Sequence, residues 1–127
     1  MTPEQRAQQF WSVLVFAAKE QKLVSYFMLE QMTGFYESPG PVLQYVYRYC
    51  KQHHLPPLNA IVIDQTTGLP GEECPFVLDH LPAQQARVFL YDWFDHPAPS
   101  DEMFKNAVAM SEVELERAEA EYEALPC

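Results

Sequence analysis

The stretch His53–Glu73, HHLPPLNAIVIDQTTGLPGEE, decides how the rest of the chain is read. It holds a helix end, a proline break, a short apolar run and a glycine turn. Upstream, Leu43, Val46, Tyr47 and Cys50 recur at i, i+3, i+4 and i+7, one face of a helix that starts near Pro41. His53 and His54 close that helix beside the negative end of its dipole. Pro56-Pro57 forbids its continuation, because proline has no amide to donate and its ring clashes with the preceding turn. Asn59 to Asp64 then reads as a strand. Ala60-Ile61-Val62-Ile63 is apolar without alternation, the pattern of a strand covered on both faces. Gly68 and Gly71 are placed to take positive φ and reverse the chain. Cys74-Pro75-Phe76-Val77-Leu78 is expected to pair back on the strand as a hairpin.

Helices flank this segment on both sides. Thr2, Pro3 and Gln5 form a helix start with a capping box, and Ala7, Phe10, Trp11, Leu14 and Ala18 follow on one face to about Gln21. Val24-Ser25-Tyr26 opens a shorter helix with Ser25 as cap, Met28, Leu29 and Met32 inward, and Gly34 as its left-handed end. Downstream, LPAQQARVFLYDWF aligns Ala86, Phe89, Leu90 and Trp93 on a fourth helix. Ser100 caps a further helical piece, and Ser111 with Glu114 forms a second capping box ahead of another. Leu115, Ala118, Tyr122 and Leu125 step by three, four and three residues, a narrow apolar seam that permits pairing of two copies but is short for a coiled coil.

Length and composition bound the class. A chain of 127 residues with 48% apolar side chains is one domain with a modest core rather than a disordered segment. No apolar run reaches the roughly 20 residues needed to span a bilayer. The start MTPEQRAQQFW lacks a basic segment followed by an apolar one, so a cytoplasmic location is expected. Cys50, Cys74 and Cys127 are odd in number and widely spaced, which fits neither a disulfide framework nor a paired-cysteine metal site.

The net charge of −10 is unevenly spread: residues 101–127 hold eight acids and two bases, the first hundred residues ten acids and six bases. Such a field repels phosphate backbones and speeds encounter with a basic protein surface.

Val24-Ser25-Tyr26, Leu29, Thr33-Gly34, Leu55-Pro56-Pro57-Leu58 and Gly68 also carry a resemblance. Residues 22–73 are similar to the winged helix-turn-helix domain of the alkyltransferase-like DNA-binding proteins. The resemblance implies three helices and a short β-hairpin. It does not bring the family's chemistry. Where a reactive cysteine, its histidine and an arginine would lie, this chain has Leu58-Asn59-Ala60-Ile61-Val62. Between Ser38 and Val46, where that family carries its groove-entering arginine, there is no Arg or Lys.

The fold expectation is therefore an α+β, mostly helical domain: a winged-helix-like core over 1–98 and an acidic helical extension over 99–127, packed on or beside it. Cys50, His53 and His54 lack the further ligands that zinc needs. Asp79-His80 and Asp95-His96 are adjacent in sequence, which does not supply a nucleophile within reach of an oriented base. No catalytic residue, metal or cofactor is assigned. The functional expectation is an acidic, non-enzymatic protein that binds a basic partner through Glu112, Glu114, Glu116, Glu119, Glu121, Tyr122 and Glu123. Trp93 or Phe94 would supply a further aromatic anchor. The alternative is a DNA-binding winged helix using Tyr45, Arg48, Lys51, His53 and His54, all on the outer side of the third helix.

Overall fold

A computed structural model describes residues 1–71 and 78–109, together with Glu114 and Arg117. The described residues form five α-helices and one small sheet, a mostly helical α+β arrangement. The order is α1 (Pro3–Lys19), β1 (Val24–Ser25), α2 (Tyr26–Thr33), α3 (Gly40–Gln52), β2 (Val62–Ile63), α4 (Leu81–Leu90) and α5 (Asp101–Val108). Single 3-10 turns precede β2 (Leu58–Ile61), precede α4 (Leu78–His80) and follow it (Trp93–Asp95). Among these residues no helix is long and apolar enough to cross a membrane.

Side-chain caps set three of the five helix starts. Thr2 and Gln5 exchange side-chain and backbone hydrogen bonds in a complete capping box. Ser25 Oγ accepts from the Met28 amide and Ser100 Oγ from the Met103 amide, each satisfying a donor that the helix start leaves open. Gly34 ends α2 in the left-handed conformation, φ 70°. A Cβ there would meet no heavy atom within 4 Å, so the penalty for a side chain is backbone strain alone. Gly34→Ala should therefore cost about 1–2 kcal/mol, read as a lower urea midpoint with an unchanged slope.

The core is one cluster around α1. Ala7, Phe10, Trp11, Leu14 and Ala18 are all buried, as their spacing predicts, and Val15 joins them. Leu43, Val46, Tyr47 and Cys50 of α3 are buried as well. Burial pushes the Cys50 thiol up to about 12, so it packs as a small apolar group rather than acting as a thiolate. Phe104 and Ala107 of α5 are fully buried in this core, and α5 packs against both α3 and α1.

Several expectations are corrected. The strand expected over Asn59–Asp64 is a 3-10 turn through Ile61 and only two residues of strand. Its partner is Val24–Ser25, in parallel, with Val24 opposite Val62 and Ser25 opposite Ile63. A parallel pair needs a long crossover, and α2 with α3 provides it. The hairpin partner CPFVL falls largely outside the described residues, and its last residue, Leu78, begins a 3-10 turn. Gly68 takes positive φ, 71°, whereas Gly71 donates its amide to Tyr26 Oη at 2.6 Å and ties the turn to α2. Of the expected α2 face only Leu29 is buried; Met28 and Met32 are exposed. The buried residues of α4 are Leu81 and Val88, while Ala86 and Leu90 are exposed and Trp93 lies beyond the helix.

Candidate interaction surface

Three large apolar side chains stand out of the surface where α1 meets the end of α4 and the segment after it. Phe16 is 59% exposed, Leu90 81% and Phe94 60%. Phe94 belongs to two shallow grooves at once. One, about 330 Å³, is lined by Val15, Phe16, His96 and Pro97, and the other, about 230 Å³, by Lys19, Leu90, Tyr91 and Asp92. The three side chains thus share one continuous surface with Phe94 at its centre.

The segment that presents Phe94 is fastened on both sides. Trp93 is 3% exposed and donates its Nε1–H to the Val88 carbonyl at 2.8 Å. Its ring stands edge-on to Trp11 at 5.5 Å and to Tyr91 at 4.6 Å, a favoured aromatic geometry. His96 Nε2 lies 2.9 Å from Tyr49 Oη, with the phenol donating when Nε2 carries no proton. Burial, with smaller contributions from Cys50 and Tyr91, holds the Tyr49 phenol above its ordinary pKa and keeps it a donor. Gln8 Nε2 donates to the Pro99 carbonyl at 3.1 Å, closing the segment onto α1. With Trp93 and His96 fixed inward, Phe94 is directed outward. Little ordering entropy remains to be lost when it is covered.

The rim is acidic. Asp92 and Asp95 are exposed on either side of Trp93 and Phe94. Their charges reach Tyr91, whose phenol is held above its usual value first by burial and then by Asp95, with Cys50 and Asp92 adding.

The residues singled out from the sequence fall differently. Glu114 is helical and exposed; Glu112, Glu116, Glu119, Glu121, Tyr122 and Glu123 lie outside the described residues. Trp93 is a core residue rather than an anchor, whereas Phe94 is open to solvent. The outward-facing basic helix is also corrected. Lys51 is 6% exposed, with its Nζ 5.1 Å from the centre of the Tyr47 ring. Arg48 is half-buried at the α3–α5 seam, its Nη1 donating to the Val108 carbonyl at 3.0 Å. Tyr45 is half-buried too, and only His53 and His54 are exposed. At Arg48 the cause is α5, which packs along α3. Phe16 has no place in the apolar stripe read for α1, and Leu90, expected on the packed face of the fourth helix, is exposed instead. The available signal was an aromatic residue standing off the apolar stripe of α1.

His53 adds a pH dependence. Its ring lies on Tyr49 at a centroid distance of 4.3 Å. Partial burial first, then the neighbouring His96 and His54, hold it below the ordinary imidazole pKa. The unfolded chain therefore binds a proton more readily than the fold does, and this contribution is complete only above the unfolded value near 6.5. It should be lost as pH falls from there through the lowered folded value. Urea midpoints at pH 7.5 and 5.5 test this: His53→Gln should narrow the difference between them.

No protein-family model, no curated protein and no solved structure matches the chain.

Proposed function

We propose that the chain is a non-enzymatic acidic interaction protein that binds a basic protein partner and inhibits or adapts it. The partner class is a toxin, a nuclease or a nucleic-acid-handling defence complex, blocked in the manner of an immunity protein or a phage-encoded inhibitor. One observation carries this reading: the exposed trio Phe16, Leu90 and Phe94 on a fixed frame, rimmed by Asp92 and Asp95, in a chain of net charge −10. An aromatic anchor surrounded by charge is the composition that interface energetics favour. A protein whose surface handles nucleic acid is itself basic, and an acidic surface is complementary to it. The glutamates of residues 112–123 add to the net negative charge of the chain.

The second reading is a DNA-binding winged helix. It draws on the succession of α1, α2, the Gly34 turn and α3, followed by β2. It has less support, because Lys51 is buried and Arg48 is engaged by the Val108 carbonyl. Few cations are then left to release counterions from a phosphate backbone.

Association kinetics separate the two. A partner recovered by co-purification should be basic, and its association rate should fall steeply as salt is raised. Replacing Asp92 and Asp95 by Asn and Glu112, Glu114, Glu116 and Glu119 by Gln should slow association while leaving the dissociation rate nearly unchanged. An association rate indifferent to both salt and these replacements defeats the acidic-interface reading. Binding of duplex DNA at about 50 mM salt, weakened by Arg48→Ala, would favour the second one.

A further inference from the structure

A cleft lies on another face, between the start of α1, the Gly34–Pro39 connection and the first turn of α3. It encloses about 580 Å³, within the range of small-molecule sites. Its walls are largely apolar, with Phe35, Tyr36 and Val42 among them, and Ser38 and Tyr45 add hydroxyl groups. Arg6 lines it as its single Lys or Arg side chain.

The setting of Arg6 is informative. Its Nη1 donates to Gln9 Oε1 at 3.0 Å and to the Thr33 carbonyl at 3.2 Å. Its guanidinium carbon sits 5.1 Å from the centre of the Phe35 ring. Phe35 is held in turn edge-on to Phe10 at 5.9 Å. The guanidinium is thus fixed by two uncharged acceptors and a ring, and among the described residues no carboxylate pairs with it. In a chain with eighteen acids, that arrangement keeps a half-buried positive charge available in an aromatic cleft. Nε and Nη2 make none of these bonds, so donors remain for an incoming anion.

The geometry points to this cleft as a binding site for a carboxylate carried on an aromatic or branched apolar group. The carboxylate pairs with Arg6, and the apolar body lies against Phe35, Tyr36 and Val42. A small organic acid and the free C-terminus of a peptide share this chemistry. One acid lines the cleft, a second lies near its Tyr45, and both bound its affinity. Glu37 is exposed at the mouth, where solvent screens it, and Glu4 of α1 is close enough to raise the Tyr45 phenol further, after burial has done so. Both disfavour a second negative charge, so a monoanion is the expected ligand.

The test is an amide-shift titration of the full chain, with any tag kept off the N-terminus because Met1 lines the cleft. The probes are phenylacetate, N-acetyl-phenylalanine and the amide of the latter, each taken to about 10 mM. The free acids should shift the amides of Gly34, Phe35 and Val42, and the neutral amide should bind about tenfold more weakly or less. Arg6→Gln should weaken the acids by a similar factor. Because Arg6 also holds the Thr33 carbonyl, the exposed substitution Ser38→Glu is a second variant that leaves that bond intact. It should weaken the acids by repulsion alone, and Glu37→Gln should strengthen them. Tighter binding of N-acetyl-phenylalanine than of phenylacetate identifies a chain terminus as the source, and the reverse a small acid. Shifts absent from the cleft, equal for acid and amide, or unchanged in both Arg6→Gln and Ser38→Glu would overturn the assignment.

Discussion

Phe104→Ala is expected to destabilise the fold by about 3–5 kcal/mol, a large fraction of what a small domain has. Phe104 is fully buried, with its ring centre 6.3 Å from that of Trp11 and 5.6 Å from that of Tyr49. It therefore touches α1 and α3 at the point where those helices meet α5. Truncation removes the transfer free energy of the ring and leaves a cavity walled by large aromatic groups that cannot collapse into it. Phe104→Leu should recover most of the loss. Chemical denaturation of the three proteins measures both steps. A loss below about 1 kcal/mol for the alanine variant would mean that α5 rests on a finished core rather than completing it.

That result bears on what could be read from the sequence. Thr2, Ser25, Gly34 and Ser100 mark helix ends correctly because a cap acts over three or four residues, all adjacent in the sequence. The stripes of α1 and α3 are legible for the same reason. Features that depend on a distant partner are not. Val24 and Val62 belong to segments joined only through two helices, and nothing near Val62 signals a parallel partner. The buried side of α4 is hard to see in the sequence because Gln85 lies on it, donating Nε2–H to the Ala60 carbonyl at 3.0 Å, and the polar side chain breaks the apolar pattern. The sequence points Lys51 outward because its charge outweighs its stem in any sequence scale. In the fold its stem is covered and its ammonium lies near the Tyr47 ring, as long cationic side chains often do. For the candidate surface the sequence shows the acidity and offers Phe94 only as one of two aromatic anchors. Phe16 and Leu90 reach that surface from two other helices, Leu90 against its expected place on the packed face of α4.

Phe94→Ala combined with Leu90→Ser should lower affinity for the partner by about 100-fold or more while leaving the fold almost unchanged. Each side chain is more than half exposed, so its removal exposes little that was hidden and opens no cavity; surface changes of this kind cost about 0.5 kcal/mol or less. In a complex the same side chains would be covered. A central aromatic anchor typically contributes about 2 kcal/mol or more, roughly a 30-fold change in the dissociation constant. The gap between the two effects is the diagnostic. Trp93→Phe serves as the contrasting variant: it breaks the 2.8 Å bond to the Val88 carbonyl and should lower stability first, disturbing binding through the frame. The effect should appear mainly as faster dissociation, since apolar contacts form after encounter, whereas the acidic rim governs association. An affinity unchanged by the double substitution, with the fold intact, would remove this surface from the interface and leave the acidic residues 112–123 to carry the interaction.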